Sequence, residues 1–145
     1  MLPISTSSQA PADSAPTGID PDLPADFRTI LIVDDDTAMR GFAAMMLECR
    51  GFKTFVAGNG MEALQALQQH PEVNAVLLDI LMPVMAGPEA FREIRKSWPT
   101  IRVILISGFD SEEVARLCGN PPPDGFVQKP FTLANLTGIV NGALN

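Results

Sequence analysis

Apolar residues in this chain fall into short unbroken runs, separated by longer segments in which they recur at helical spacing. The run around which the rest is arranged is Asn74 to Pro83 (NAVLLDILMP), with apolar residues leading straight into Asp79 and Pro83 following. A short apolar run bounded by turn residues predicts a strand buried on both faces. Asp79 then sits where that strand leaves the core, beside a loop punctuated by Pro83 and Gly87. Taken alone, the same carboxylate reads equally as an ordinary strand end.

From residue 27 onward the alternation is regular. Thr29 to Asp34 (TILIVD) predicts a first strand, and Phe42, Met45, Met46 and Cys49 mark the inner stripe of a helix that Gly51 closes. Phe52 to Ala57 reads as a strand, Asn59 and Gly60 turn the chain, and Met61, Leu64 and Leu67 line a second helix ending near His70 and Pro71. After the central strand over 73–79 and its loop, Phe91, Ile94 and Trp98 predict a third helix stopped by Pro99. Ile101 to Ser107 is a fourth strand. Asp110 and Glu113 resemble a capping box for a short fourth helix through Val114 and Leu117, which Pro121, Pro122 and Pro123 cannot continue. Gly125 to Gln128 is a brief fifth strand, and Leu133, Leu136, Val140 and Ala143 line the last helix.

Strict β/α alternation favours a parallel sheet with helices on both faces, because each right-handed crossover uses a helix to return the chain. Five units fit a flavodoxin-like, doubly wound α/β fold with strand order 2-1-3-4-5. In that order the topological switch point lies between strands 1 and 3, and ligands bind beyond their carboxyl ends. Strands 1 and 3 are the two that end in carboxylates here, which groups Asp79 with Asp34, Asp35 and Asp36.

Composition divides the 145 residues in two. Residues 1–26 are rich in Ser, Thr, Pro, Ala and Asp without Lys or Arg, and are expected to be a disordered tail or linker; residues 27–145 form one domain. Of the net charge of -7, Asp13, Asp20, Asp22 and Asp26 put -4 in the tail. Neither part has the basic patch expected for nucleic-acid binding, and no run is long enough to cross a membrane. The start of the chain has neither the basic residues nor the continuous apolar stretch of a secretory signal. Cys49 and Cys118 match no metal spacing and read as reduced core thiols of a cytoplasmic domain. His70 is the only histidine.

Clustered carboxylates repel one another unless they hold protons or share a cation. With no histidine or cysteine pair at hand, the fitting ion is a hard one; Mg²⁺ suits a few carboxylates plus a backbone oxygen while keeping several waters. Asp79 could then attack phosphorus as a carboxylate nucleophile. Ser107 at the end of strand 4 offers a hydroxyl and Lys129 at the end of strand 5 an ammonium for the transferred group.

Asp34-Asp35, Asp79 with Met82-Pro83 and Gly87, Ser107, and Lys129-Pro130-Phe131, each after its strand, together resemble the receiver domain of two-component response regulators. The resemblance covers residues 28 to 144. It implies that Asp79 is the phosphoacceptor, that Asp35 ligates Mg²⁺ directly and Asp34 through water, and that the Leu81 backbone carbonyl completes the protein ligands, with Asp36 flanking the site. It further implies that Ser107 and Lys129 contact the phosphoryl group, that the Lys129-Pro130 bond is cis, and that Ser107 and Phe126 are the switch residues. Phe126 also reads as a plain core residue of strand 5.

The implied reaction moves phosphate from a phosphohistidine of a histidine kinase or histidine phosphotransfer domain to Asp79. The domain would be no enzyme beyond its own phosphotransfer and slow autodephosphorylation. The reading surface, and a homodimer contact, would be the face of helix 4, strand 5 and helix 5, although the short fourth helix and the proline run depart from the usual pattern. Apolar Leu81 and Phe109 stand where the family admits the hydrolytic water. Ser107-Gly108-Phe109 resembles the form found in receivers of hybrid sensor kinases, so the chain reads as a stand-alone receiver or part of such a kinase. Two other readings compete. Asp34-Asp35-Asp36 contains the Asp-x-Asp of haloacid-dehalogenase-like phosphatases, with Asp34 as nucleophile and Asp36 as general acid. A pseudo-receiver would keep the fold without the phosphorylation.

Overall fold

The computed structural model describes residues 28–80, 87–118 and 122–144. The five strands are β1 (Thr29–Val33), β2 (Lys53–Ala57), β3 (Ala75–Asp79), β4 (Arg102–Ser107) and β5 (Gly125–Gln128). The helices between and after them are α1 (Thr37–Glu48), α2 (Gly60–Gln69), α3 (Gly87–Ser97), α4 (Ser111–Cys118) and α5 (Leu133–Leu144). All strand pairs are parallel and the order is β2-β1-β3-β4-β5, as the alternation predicts.

The sheet separates two apolar clusters. Leu31, Val33, Val76, Leu78, Val103 and Leu105 point to one face, where α2, α3 and α4 cover them with Leu67, Phe91, Ile94 and Val114. Their neighbours in sequence, Ile30, Ile32, Leu77, Ile104 and Ile106, point to the other, against Ala43 and Leu47 of α1 and Leu136 and Val140 of α5. This is the two-residue period of a strand with apolar residues on both faces, so Ile30–Val33, Ala75–Leu78 and Val103–Ile106 read as unbroken runs.

Three inner stripes differ from the expected ones. In α1 the buried residues are Ala43 and Leu47, while Phe42 and Met45 are about half exposed and Cys49 lies on the surface. The stretch FAAMMLE is apolar on more than one face, so its period does not single out a stripe, and the small Ala43 lets the helix lie close on the sheet. In α2 Ala63 and Leu67 are buried and Met61 is exposed. In α4 Val114 and Cys118 turn inward and Leu117 outward.

Local signals at the helix ends behave as their chemistry requires. Gly51 has φ 91°, the left-handed conformation that glycine adopts without a Cβ clash, and its N–H donates to Glu48 O. Asn59 caps α2 by accepting from Glu62 N at 2.9 Å, and Asp110 accepts from Glu113 N at 2.9 Å at the start of α4. His70 closes α2, donating its N–H to Ala66 O, and stacks on Phe55 with ring centroids 3.9 Å apart.

Candidate functional site

Strand register assembles the site. Val33 stands opposite Leu78, so Asp34 and Asp79 emerge next to one another at the carboxyl edge. Asp79 pairs with Ile106, which puts Ser107 one residue further along β4, and Ser107 pairs with Gln128, which puts Lys129 just beyond β5. The backbone continues the pairing past the strands: Ile80 N donates to Ile106 O at 3.1 Å and Lys129 N to Ser107 O at 2.8 Å. Four residues distant in sequence thus meet at adjacent strand tips.

Their side chains meet as well. Lys129 Nζ lies 3.5 Å from Asp34 Oδ2 and 3.6 Å from Asp79 Oδ1, bridging the two carboxylates. Asp34 is 3% and Asp79 6% exposed, whereas Asp35 faces solvent. One carboxylate oxygen from each of Asp34, Asp35 and Asp79 lies within 4.8 Å of the others. Three clustered carboxylates, with one ammonium bridging two of them, leave an excess of negative charge in a partly dehydrated corner, which a divalent cation would relieve. The donors are all hard oxygens, so the set fits Mg²⁺ and offers nothing to a soft metal.

The turn after β1 is fixed by its own hydrogen bonds. Asp34 Oδ1 accepts from Asp36 N at 2.9 Å, and Arg40 Nη1 reaches back from α1 to donate to Asp34 O at 3.1 Å. Asp36 is the N-cap of α1, accepting from Ala38 N at 3.0 Å and Met39 N at 3.2 Å. Its carboxylate therefore serves the helix end. Its backbone N–H, bonded to Asp34 Oδ1, keeps it beside the acidic cluster.

Ser107 is buried, and its Oγ accepts from Phe109 N at 2.9 Å, an arrangement that leaves the hydroxyl proton free to donate elsewhere. Phe126 is half-buried on β5 at the margin of the α2/α3/α4 cluster, and it also lines a cleft with Phe131 and Ile139. The Lys129-Pro130 bond is cis. Leu81, Met82 and Pro83 lie outside the described residues.

Gly87, read from the sequence only as loop punctuation, has a more specific part. It opens α3, its N–H donates to Ile80 O at 2.9 Å, and a Cβ placed there would lie 2.5 Å from Asp79 O and from Ile80 Cα. The start of α3 thus closes directly on the backbone that carries Asp79. The pairing of Pro83 with Gly87 was the available sequence signal, but only the approach distance explains why a side chain is excluded.

A doubly wound parallel domain with a cluster of three carboxylates at its switch point, and a lysine bridging two of the acids, is the arrangement of a class of signalling modules. The response regulator receiver domain model matches residues 30–141, and the chain belongs to that family. Among similar proteins is the sensor kinase CckA of Brucella abortus, 38% identical over 120 residues that make up 80% of this chain and 12% of that protein. A CheY-like receiver domain structure from Methanospirillum hungatei JF-1 superposes with a TM-score of 0.74 at 30% identity, covering 81% of this chain and 94% of that one. The receiver domain of the hybrid histidine kinase CckA gives 0.68 at 28% identity, covering 81% and 99%. The chain spans 12% to 31% of the length of the first curated relatives it matches. Among the described residues no helix is long and apolar enough to cross a membrane.

Proposed function

We propose that this receiver accepts phosphate on Asp79 from a phosphohistidine of a histidine kinase or histidine phosphotransfer domain, with Mg²⁺ held by Asp34, Asp35, Asp79 and the Leu81 carbonyl. The observation that carries the reading is Lys129, whose ammonium touches both buried carboxylates of a three-acid cluster. Bound Mg²⁺ would supply positive charge to the phosphoryl oxygens. The Asp79 carboxylate oxygen attacks phosphorus, the P–N bond of the donor breaks with its electron pair going to the imidazole, and that ring takes up a proton. Lys129 holds charge against the phosphoryl oxygens, and the Ser107 hydroxyl donates to one of them.

On this reading residues 27–145 are the receiver and residues 1–26 a linker, in a cytoplasmic protein that is a free-standing receiver or a hybrid sensor kinase. Ser107 and Phe126 shift with phosphorylation. The cleft of about 540 Å³ lined by Asp110, Phe126, Phe131, Asn135 and Ile139 belongs to the α4/β5/α5 face, where a reader or a second copy would sit. Asp36 disfavours the phosphatase reading, since its carboxylate caps α1 where a general acid would be needed.

The test is intact-protein mass after incubation with Mg²⁺ and acetyl phosphate, with Asp79→Asn alongside. One phosphate on the wild type, absent from the variant and released by mild alkali, supports the proposal. No adduct with Mg²⁺ binding intact points to strict dependence on a partner kinase, and no adduct without Mg²⁺ binding points to a pseudo-receiver.

A further inference from the structure

The ten Lys and Arg residues of this acidic chain are unevenly placed: Arg92, Arg95, Lys96 and Arg102 gather where α3 ends and β4 begins. There Phe91, Pro99 and Pro122 join Arg92, Arg95, Lys96 and Asp124 around an open cleft of about 680 Å³. Arg95 and Arg102 are engaged, with Arg95 Nη2 2.9 Å from Asp124 Oδ2 and 3.1 Å from Pro122 O, and Arg102 Nη1 4.0 Å from Asp124 Oδ1. Arg92 and Lys96 are exposed and form no ion pair among the described residues. The cleft thus combines apolar walls with surplus positive charge, at the opposite edge of the sheet from Asp79.

The amino end of the domain opens on that same edge. Thr29 N donates to Asn74 Oδ1 at 2.7 Å, Arg102 N to Asn74 O at 3.1 Å and Val103 N to Asp124 Oδ2 at 2.8 Å. These bonds line up the starts of β1, β3, β4 and β5, so Arg28 and the cleft are about three strand spacings, roughly 14 Å, apart. Six residues of extended chain span about 20 Å. The residues immediately before Arg28 are Asp20-Pro-Asp-Leu-Pro-Ala-Asp-Phe27, with three carboxylates, no cation, Leu23 between the charges, and two prolines that favour extended backbone.

We propose that this acidic, proline-containing segment, Asp20 to Asp26, docks in cis on the Arg92/Lys96 cleft, with Asp20 and Asp22 facing the two cations and Leu23 against the Phe91, Pro99 and Pro122 wall. Charge, length and point of attachment all select this occupant. Docking links whatever precedes the receiver to the end of α3, and it leaves the phosphorylation site open.

The experiment is a set of amide NMR spectra of the ¹⁵N-labelled 145-residue chain. Neutralising Asp20, Asp22 and Asp26 to Asn is expected to shift the amides of 91–96, 102 and 124 and leave those around Asp79 in place. Salt at about 0.5 M, which shortens the Debye length to a few ångström, reproduces the shifts. Arg92→Glu with Lys96→Glu shifts residues 20–26, and adding Asp20→Lys with Asp22→Lys returns both sets toward wild type. A neutralised segment that leaves 91–102 and 124 unmoved overturns the proposal, as do shifts that grow with protein concentration, which would assign the cleft to the segment of a second copy. The neutralised variant alters no residue of the folded domain, so its result does not depend on the basic variants folding.

Discussion

The Lys129 ammonium stands 3.6 Å from the Asp79 carboxylate and 3.5 Å from Asp34, close enough to offset part of the repulsion between the two buried acids. The same ammonium repels a cation entering between them. Lys129→Met is therefore expected to bind Mg²⁺ several-fold more tightly by calorimetric titration. The rate of adduct formation from acetyl phosphate should nevertheless fall by about 100-fold, the usual loss when one charge-stabilising donor is removed. Unchanged phosphorylation in this variant would remove Lys129 from the chemistry.

If Asp79 is the phosphoacceptor proposed above, Phe109 bears on how long the phosphate persists. Its N–H is tied to Ser107 Oγ at 2.9 Å, and its half-buried side chain packs at the margin of the α2/α3/α4 cluster, so an apolar group stands next to the site. We expect an acyl phosphate lifetime of minutes or longer in the isolated protein, shortened several-fold by Phe109→Asn. Loss of the adduct from the wild type within seconds, followed by mass, would contradict this.

Gly87→Ala forces a Cβ to within 2.5 Å of backbone atoms of Asp79 and Ile80, which cannot swing aside as a side chain would. Overpacking of this kind costs about 1–3 kcal/mol. Denaturant unfolding should show that loss, and Mg²⁺ affinity should fall with it because the strand tip is displaced. A variant as stable as wild type would mean that α3 can shift at no cost.

Asp124 ties α3 to the start of β5. It pairs with Arg95, accepts from Val103 N, and donates its own N–H to Val103 O. Asp124→Ala leaves the Val103 N–H and the Arg95 guanidinium without that acceptor, a loss of about 1–3 kcal/mol for groups this enclosed. Phosphorylation of Asp79 should survive, since the two sites occupy opposite edges of the sheet.

Burial raises the Cys118 thiol above its ordinary value of 9.0, against a smaller opposing effect of the Arg92 charge. A folded-state value above the unfolded one means that the unfolded chain releases its proton first. Cys118 therefore contributes stability that is present below pH 9.0 and falls as the pH rises through the folded value. Unfolding titrations between neutral and alkaline pH should show this slope, and Cys118→Ala should reduce it. At neutral pH a thiol reagent is expected to label exposed Cys49 quickly and Cys118 slowly.

The strand runs were legible in the sequence because β1, β3 and β4 are covered on both faces and so are apolar through their middles. Asp34, Asp79, Ser107 and Lys129 were legible as a set because each ends or directly follows its strand, and parallel register alone brings strand ends together. The stripe of α1 was not, since Phe42 and Met45 are more hydrophobic than the Ala43 that is buried, and closeness of approach decided the matter. Asp36 looked like one more acid of the cluster, and only the hydrogen bonds to Ala38 and Met39 reveal a helix cap. Asp124 gave no signal, because Arg95 and Arg102, which make it a structural anchor, lie far away along the chain.

The two apolar clusters on either side of the sheet share no side chain. Substitutions of buried side chains on α1 and α5 should combine additively with those on α2, α3 and α4, which lie across the sheet from them. Each helical layer can then be repacked without disturbing the other. The carboxyl edge, where Asp34, Asp79, Ser107 and Lys129 draw on strands common to both, is the place where a change in either layer reaches the same backbone.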